Sequence, residues 1–149
     1  MILVLAGVSA KDIVAPTGTE VIAVSPAREE AGTVDVTITT IDGTSAITSK
    51  DHYKYLPVIT RVFPNTGSTA GVSEFGIQVI DGYGFAEGFP ASDVFSFGGT
   101  TETGEHVSCG PHTLCETFVP AHAAGTVDIT VTVNGATSLK TKADRYTYK

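Results

Sequence analysis

The chain has 149 residues, of which 42 % are hydrophobic and 17 % charged, which gives enough apolar surface for a packed core and too little charge for a disordered polymer. Its formal charge of −7 opposes a phosphate backbone, and its nine Lys and Arg are scattered, so the composition gives no footprint for a nucleic-acid partner. Sixteen Gly, seven Pro, abundant Thr and Val, and no long stretch with apolar residues at helical spacing point to an all-β chain rich in turns.

The opening run Ile2-Leu3-Val4-Leu5 follows no basic segment and is too short for a signal-peptide core or a membrane span, so it reads as a strand. An Ala6-Gly7 turn and a Pro16-Thr17-Gly18 turn follow, then an alternating strand from Glu20 to Ser25 that stops at Pro26. Thr33 to Thr40 alternates Val or Ile with Asp or Thr, the pattern of a strand with one buried face. Asp42-Gly43 then predicts a two-residue hairpin turn, because both central positions of such a turn favour positive φ. The segment closes on Asp51-His52-Tyr53-Lys54-Tyr55.

This series returns in the second half. Ala124-Gly125-Thr126-Val127-Asp128-Ile129 repeats Ala31-Gly32-Thr33-Val34-Asp35-Val36 at an offset of 93, and Tyr148 repeats Tyr55 at the same offset. Gly98-Gly99, Gly110-Pro111, Pro120, an Asn134-Gly135 turn and Asp144-Arg145-Tyr146-Thr147-Tyr148 keep the order of the first series. The second copy also has a beginning that the first lacks: Pro57 to Gly67, a strand over Phe75 to Ile80, and Asp81-Gly82-Tyr83-Gly84-Phe85. Residues 57–149 thus hold about seven short strands at the turn spacing of an immunoglobulin-like sandwich. The expected division is 1–56 as a partial module with only the later strands, and 57–149 as a complete one. A boundary at Leu56-Pro57 leaves no flexible linker.

Six motifs in residues 57–149 carry a family resemblance. They are Pro57-x-Ile59-x-x-Val62-x-Pro64-Asn65-x-Gly67, Gly82-x-Gly84-Phe85, Phe97-Gly98-Gly99, Val119-Pro120-Ala121, Ala124-Gly125-Thr126-Val127-Asp128, and Asp144-x-Tyr146-x-Tyr148. Together they resemble an IPT/TIG domain, and Val4 to Tyr55 looks like the second half of another. Val72 departs from the pattern, standing where the family usually has the second of two glycines after Ala70. The resemblance implies an immunoglobulin-like fold of the kind used in tandem in receptors and bacterial surface proteins, as an accessory module of some carbohydrate enzymes, and in dimerising transcription factors.

Four potential metal ligands recur at a spacing of three in His106-x-x-Cys109-x-x-His112-x-x-Cys115. A tetrahedral zinc site is one reading. The favoured one is a disulfide between Cys109 and Cys115 closing a short turn, which suits an oxidising compartment, with free thiols as a third. No nucleophile elbow, phosphate loop or dinucleotide fingerprint is present, so no catalytic or cofactor-binding residue and no cofactor is expected. Asp35, Asp51, Asp128 and Asp144 recur at equivalent repeat positions, which argues for structural carboxylates, since a catalytic pair needs only one copy.

Tyr53, Tyr55, Tyr146 and Tyr148 alternate at i, i+2 on one face of the last strand of each copy, where core or inter-module packing is the favoured use and a sugar-stacking platform the alternative. Tyr83, Phe85 and Phe89, in a Gly- and Pro-containing loop, are the candidate binding loop. The resulting expectation is a non-enzymatic spacer or adhesion module of a cell-surface or secreted protein, of which this chain is a fragment. An accessory carbohydrate-binding domain is the alternative. Expected partners are other modules of the parent or a protein or glycan ligand, with no nucleic acid and no membrane span. A homodimer through the unpaired edge of the partial module is a further expectation.

Overall fold

The computed structural model describes residues 1–74 and 78–149. It forms two compact units, one of Met1–Arg28 with Thr33–Lys54 and one of Tyr55–Lys149 with the short stretch Glu29–Gly32. Every regular element among the described residues is a β-strand.

The first unit contains β1 (Ile2–Leu5), β2 (Val8–Ser9), β3 (Lys11–Thr17), β4 (Glu20–Val24), β5 (Gly32–Thr40), β6 (Gly43–Thr44) and β7 (His52–Tyr55). One sheet runs β2-β1-β5-β6, with β7 also paired to β5, while β3 and β4 form a separate ribbon. Ala6 and Gly7 join β1 to β2 with φ of 49° and 82°, the pair of left-handed residues that a tight hairpin with right-twisted strands requires. The second predicted hairpin is displaced by one residue. Thr40 pairs with Gly43, so the turn is Ile41-Asp42 rather than Asp42-Gly43, and neither Ile41 nor Asp42 has positive φ. The reason lies in the ladder before it. The Thr39 and Thr44 hydroxyls meet at 2.8 Å, and Ser45 donates its N–H to the Ile38 carbonyl at 2.8 Å while its Oγ accepts the Ile38 N–H at 3.1 Å. These bonds fix the register, and the turn takes the two residues that remain.

The second unit contains β8 (Val58–Phe63), β9 (Thr66–Gly67), β10 (Gln78–Tyr83), β11 (Ala91–Phe97), β12 (Thr100–Gly104), β13 (Val107–Cys109), β14 (Leu114–Thr117), β15 (Gly125–Val133), β16 (Ala136–Thr137) and β17 (Arg145–Tyr148). The strand expected over Phe75 to Ile80 is seen from Gln78 onward; Phe75, Gly76 and Ile77 lie outside the described residues. One sheet is ordered β13-β14-β10-β8 and the other β12-β11-β15-β17-β9, with β16 paired to β15. β9 lies parallel to β17, and the other registered pairs of this unit are antiparallel.

Ile59, Ile80, Val107 and Cys115 of the first sheet share one core with Phe95, Phe97, Ile129, Val131 and Tyr146 of the second. This is an immunoglobulin-like β-sandwich. With no Trp in the chain, aromatic edges fill its centre: Phe97 meets Tyr146 at 6.0 Å between ring centroids, and Tyr146 meets Tyr148 at 4.8 Å, both edge-on. Val72 makes a two-bond bridge with Val119, at 2.7 and 2.9 Å, and packs against the core, so a side chain is useful there and the positive φ falls on Gly71.

Candidate functional site

The candidate binding loop grows out of β10. The register with β8 shifts between Asp81 and Gly82, where Thr60 of β8 is skipped, which leaves Tyr83 opposite Val58, while alternation along β10 keeps Gly82 on the buried face with Ile80. A Cβ on Gly82 would run into the Val58 carbonyl and the Phe85 ring. The glycine is therefore a socket for Phe85, whose ring meets Phe95 edge-on at 6.1 Å. Phe85 is fully buried, which removes it from the exposed loop expected from the sequence. Its apolar ring fills a core site that a glycine three residues earlier leaves open.

Tyr83 and Phe89 are 64 % and 63 % exposed. Tyr83 shares the outer face of the sheet with Val58 and Phe63, also exposed, and with an Arg61–Asp81 pair in which Nε donates to a carboxylate oxygen at 2.6 Å. The Arg61 guanidinium lies 5.8 Å from the Phe63 ring centroid. The result is an exposed face that carries three large apolar side chains and one ion pair.

The His/Cys constellation is not brought together as a ligand set. Cys109 and Cys115 sit directly opposite in the β13–β14 ladder and form a disulfide. His106 instead stacks on Phe118 at 4.5 Å and meets Glu102 at 2.6 Å. His112 occupies the hairpin tip with a left-handed φ of 47°, and its Nδ1 lies 2.9 Å from the Phe85 carbonyl. That hydrogen bond raises the His112 pKa, burial opposes it, and the carboxylates of Glu29, Glu30 and Glu87 add to the rise. The zinc reading fails on geometry, because the disulfide consumes both thiols and the two histidines serve other partners.

Asp93 was not singled out from the sequence. β11 alternates inward Ala91, Phe95 and Phe97 with outward residues, and Asp93 falls in the inward phase. It is fully buried, and both of its oxygens accept the Ala86 N–H, at 3.1 and 3.2 Å. Burial pushes its pKa up to about 7, against the lowering effect of the Ala86 bond and with a further rise from Glu30. The signal in the sequence was the strand phase, which puts an ionisable group among aromatic ones.

The recurring carboxylates hold turns and strands. Asp51 accepts the Thr48 N–H through both oxygens, at 2.9 and 3.1 Å, and Asp144 accepts the Thr141 N–H and hydroxyl. Asp35 lies 3.2 Å from His52 Nε2, and Asp128 lies 3.7 Å from Arg145 Nε. Asp35, Asp51 and His52 are close enough together to chelate an ion. At the equivalent place in the second unit the imidazole is replaced by a guanidinium, which cannot ligate a metal, so what the repeat preserves is a nitrogen-bearing side chain beside a carboxylate.

The two-sheet fold with its IPT/TIG motifs defines the class, an immunoglobulin-like module. The family description "IPT/TIG domain" matches residues 57–148, and the chain belongs to that family. Among solved structures the chain is similar to SGBP-B of the Bacteroides ovatus mixed-linkage glucan utilization locus, solved in complex with a mixed-linkage heptasaccharide. The identity is 15 % and the TM-score 0.40, and the match covers 99 % of this chain and 37 % of that one, so the chain spans little more than a third of that protein. No curated protein matches the sequence. Among the described residues no helix is long and apolar enough to cross a membrane.

Proposed function

We propose that this chain is a non-enzymatic spacer or adhesion segment of a secreted or cell-surface protein, with the first unit formed by the later strands of a second IPT/TIG-like module. The observation that carries the reading is the use made of its reactive side chains. Asp35, Asp51, Asp128 and Asp144 are spent on turns and ion pairs that recur in both units, and the two thiols are spent on a disulfide. A disulfide persists in an oxidising compartment, which supports the extracellular assignment. The partners that fit are other modules of the same parent and a protein or glycan ligand at the surface.

The exposed Tyr83 with Phe63 and Val58 favours a second reading, a glycan-stacking face of an accessory carbohydrate-binding domain. Binding to insoluble glycans separates the two. Wild type and a Tyr83→Ala, Phe89→Ala variant should be retained equally little if the chain is a spacer. Retention of wild type alone would establish the carbohydrate-binding reading instead. Reproducible turnover of a glycan or ester, abolished by one substitution, would overturn the non-enzymatic assignment.

A further inference from the structure

The second unit shows what covers β14. In its first sheet β10 pairs with the outer edge of β14, placing Ile80 opposite Cys115 and Asp81 opposite Leu114. Ile80, Cys115 and Thr117 are all fully buried there. The first unit holds the ribbon β3-β4 in the corresponding place along the repeat, after β2 and before the Pro26 that answers Pro120. At the offset of 94 that separates those prolines, Cys115 and Thr117 fall on Val21 and Ala23. The phase agrees: Val21 and Ala23 are the partly covered positions of β4, while Glu20, Ile22 and Val24 are exposed.

The ribbon β3-β4 is a sheet of two strands, so the edge of β4 that corresponds to the β10 side of β14 carries no third strand among the described residues. The sheet of the first unit tells the same story. Val36 and Ile38 are only partly buried, whereas Ile129 and Val131 at the same places in the repeat are fully buried. An open ribbon edge whose own apolar side chains, Val21 and Ala23, are half covered is a template for strand addition, with main-chain hydrogen bonds for affinity and alternate side chains for specificity.

We propose that the free edge of β4 is a docking site for an antiparallel extended segment of polypeptide with apolar residues at alternate positions. Its β-branched residue lies opposite Val21 as Ile80 lies opposite Cys115. The proposal rests on the reading of the first unit as the later strands of a module. The occupant is a strand of β10 character, because β10 is what the matching edge holds in the second unit.

The test is amide hydrogen exchange on the full chain carrying a duplicate of its own residues 57–90 ahead of Met1. Exchange at Glu20–Val24 should slow by about tenfold or more relative to the unmodified chain, and Ile80→Asp in the duplicate should restore the fast rate. A free peptide of Gln78–Tyr83 added to the unmodified chain gives the same readout if the added segment disturbs folding. Unchanged exchange at β4 in both experiments, with β5 amides protected, overturns the docking site and leaves the module reading standing. Unprotected β5 amides in the unmodified chain overturn the module reading with it. An unmodified chain that sediments as a dimer with β4 already protected assigns the edge to a second copy and overturns the proposal as well.

Discussion

The two units contain the same sheet twice, and they differ in what lies on it. In one, Ser45 brackets Ile38 and Thr39 meets Thr44; in the other, Ser138 brackets Val131 and Thr132 meets Thr137, each residue displaced by 93. The Ile129 N–H donates to the Asp144 carbonyl at 2.8 Å, as the Val36 N–H does to the Asp51 carbonyl. Burial does not follow. Tyr146 is 1 % exposed and its counterpart Tyr53 is 40 % exposed. Local sequence thus determines the ladder, the turns and the carboxylate caps. The second layer alone turns an alternating strand into half of a core, which is where most of the stabilisation comes from.

The sharpest way to test that division is to make the same substitution on both sides. Tyr146→Ala should cost about 3 to 5 kcal/mol, since it empties a site filled by Phe97 and Tyr148 edges. Tyr53→Ala should cost less than about 1 kcal/mol, as expected of an exposed side chain. Denaturant unfolding of the two variants measures the difference, and equal losses would mean that the first sheet is covered in solution.

Asp93 and the disulfide belong to the second unit alone and sharpen the contrast next. A buried carboxyl whose pKa is raised from 3.8 to about 7 stays protonated in the fold while the unfolded chain releases its proton. Its contribution to stability is fully present below about pH 4 and is lost as pH rises toward about 7. Asp93→Asn should flatten this decline in a series of unfolding curves across that range; an unchanged slope would mean that Asp93 is ionised in the fold. Removing the bridge with Cys109→Ala, Cys115→Ala should cost about 2 kcal/mol in chain entropy, because the closed loop is short, and the fold should survive. Mass spectrometry of an unreduced peptide spanning His106 to Glu116 should show the bridge, and two free thiols with bound zinc would refute it.

The caps give smaller effects. Asp144→Ala removes a fully buried carboxylate together with the acceptor of the N–H and hydroxyl of the exposed Thr141, and should cost about 1 to 3 kcal/mol. Asp51→Ala, with water available to the Thr48 N–H, should cost about 1 kcal/mol or less.

Most of this architecture was legible because it is local. Asn134-Gly135, with φ of 47° and 76°, and Ala6-Gly7 form hairpin turns for the reason the residues suggest, and Val127 to Val133 buries the face that alternation picks out. What was not legible depends on packing and register, which neighbouring residue types do not announce. Phe85 looks like a loop aromatic until Gly82 is seen to leave room for its ring. The Asp42-Gly43 signal lost to a register held by Ser45 and Thr44, which no dipeptide preference can reveal. Glu29, Glu30 and Ala31 lead into β5, yet Ala31 is buried in the core of the second unit and donates its N–H to the Gly84 carbonyl at 2.9 Å. In that last case the sequence gives an Ala-Gly pair and no hint of the destination.

The smallest expected effect decides between two readings of the same three side chains. Asp35, Asp51 and His52 could hold an ion, or they could be a capped turn beside a surface ion pair. The comparison favours the second, because Arg145 does in the other unit what His52 does here, with Lys140 also 3.8 Å from Asp128. Both members of the Asp35–His52 pair are nearly half exposed, so a double-mutant cycle should give a coupling below about 1 kcal/mol that fades in high salt. His52→Arg should keep that coupling, since a guanidinium carries its charge at every accessible pH. An ion that binds the fold and not the unfolded chain raises stability with its concentration, so adding zinc or calcium should leave the unfolding midpoint unmoved. A saturable rise that His52→Arg abolishes would show that the first unit has taken a shared structural position and made a metal site of it.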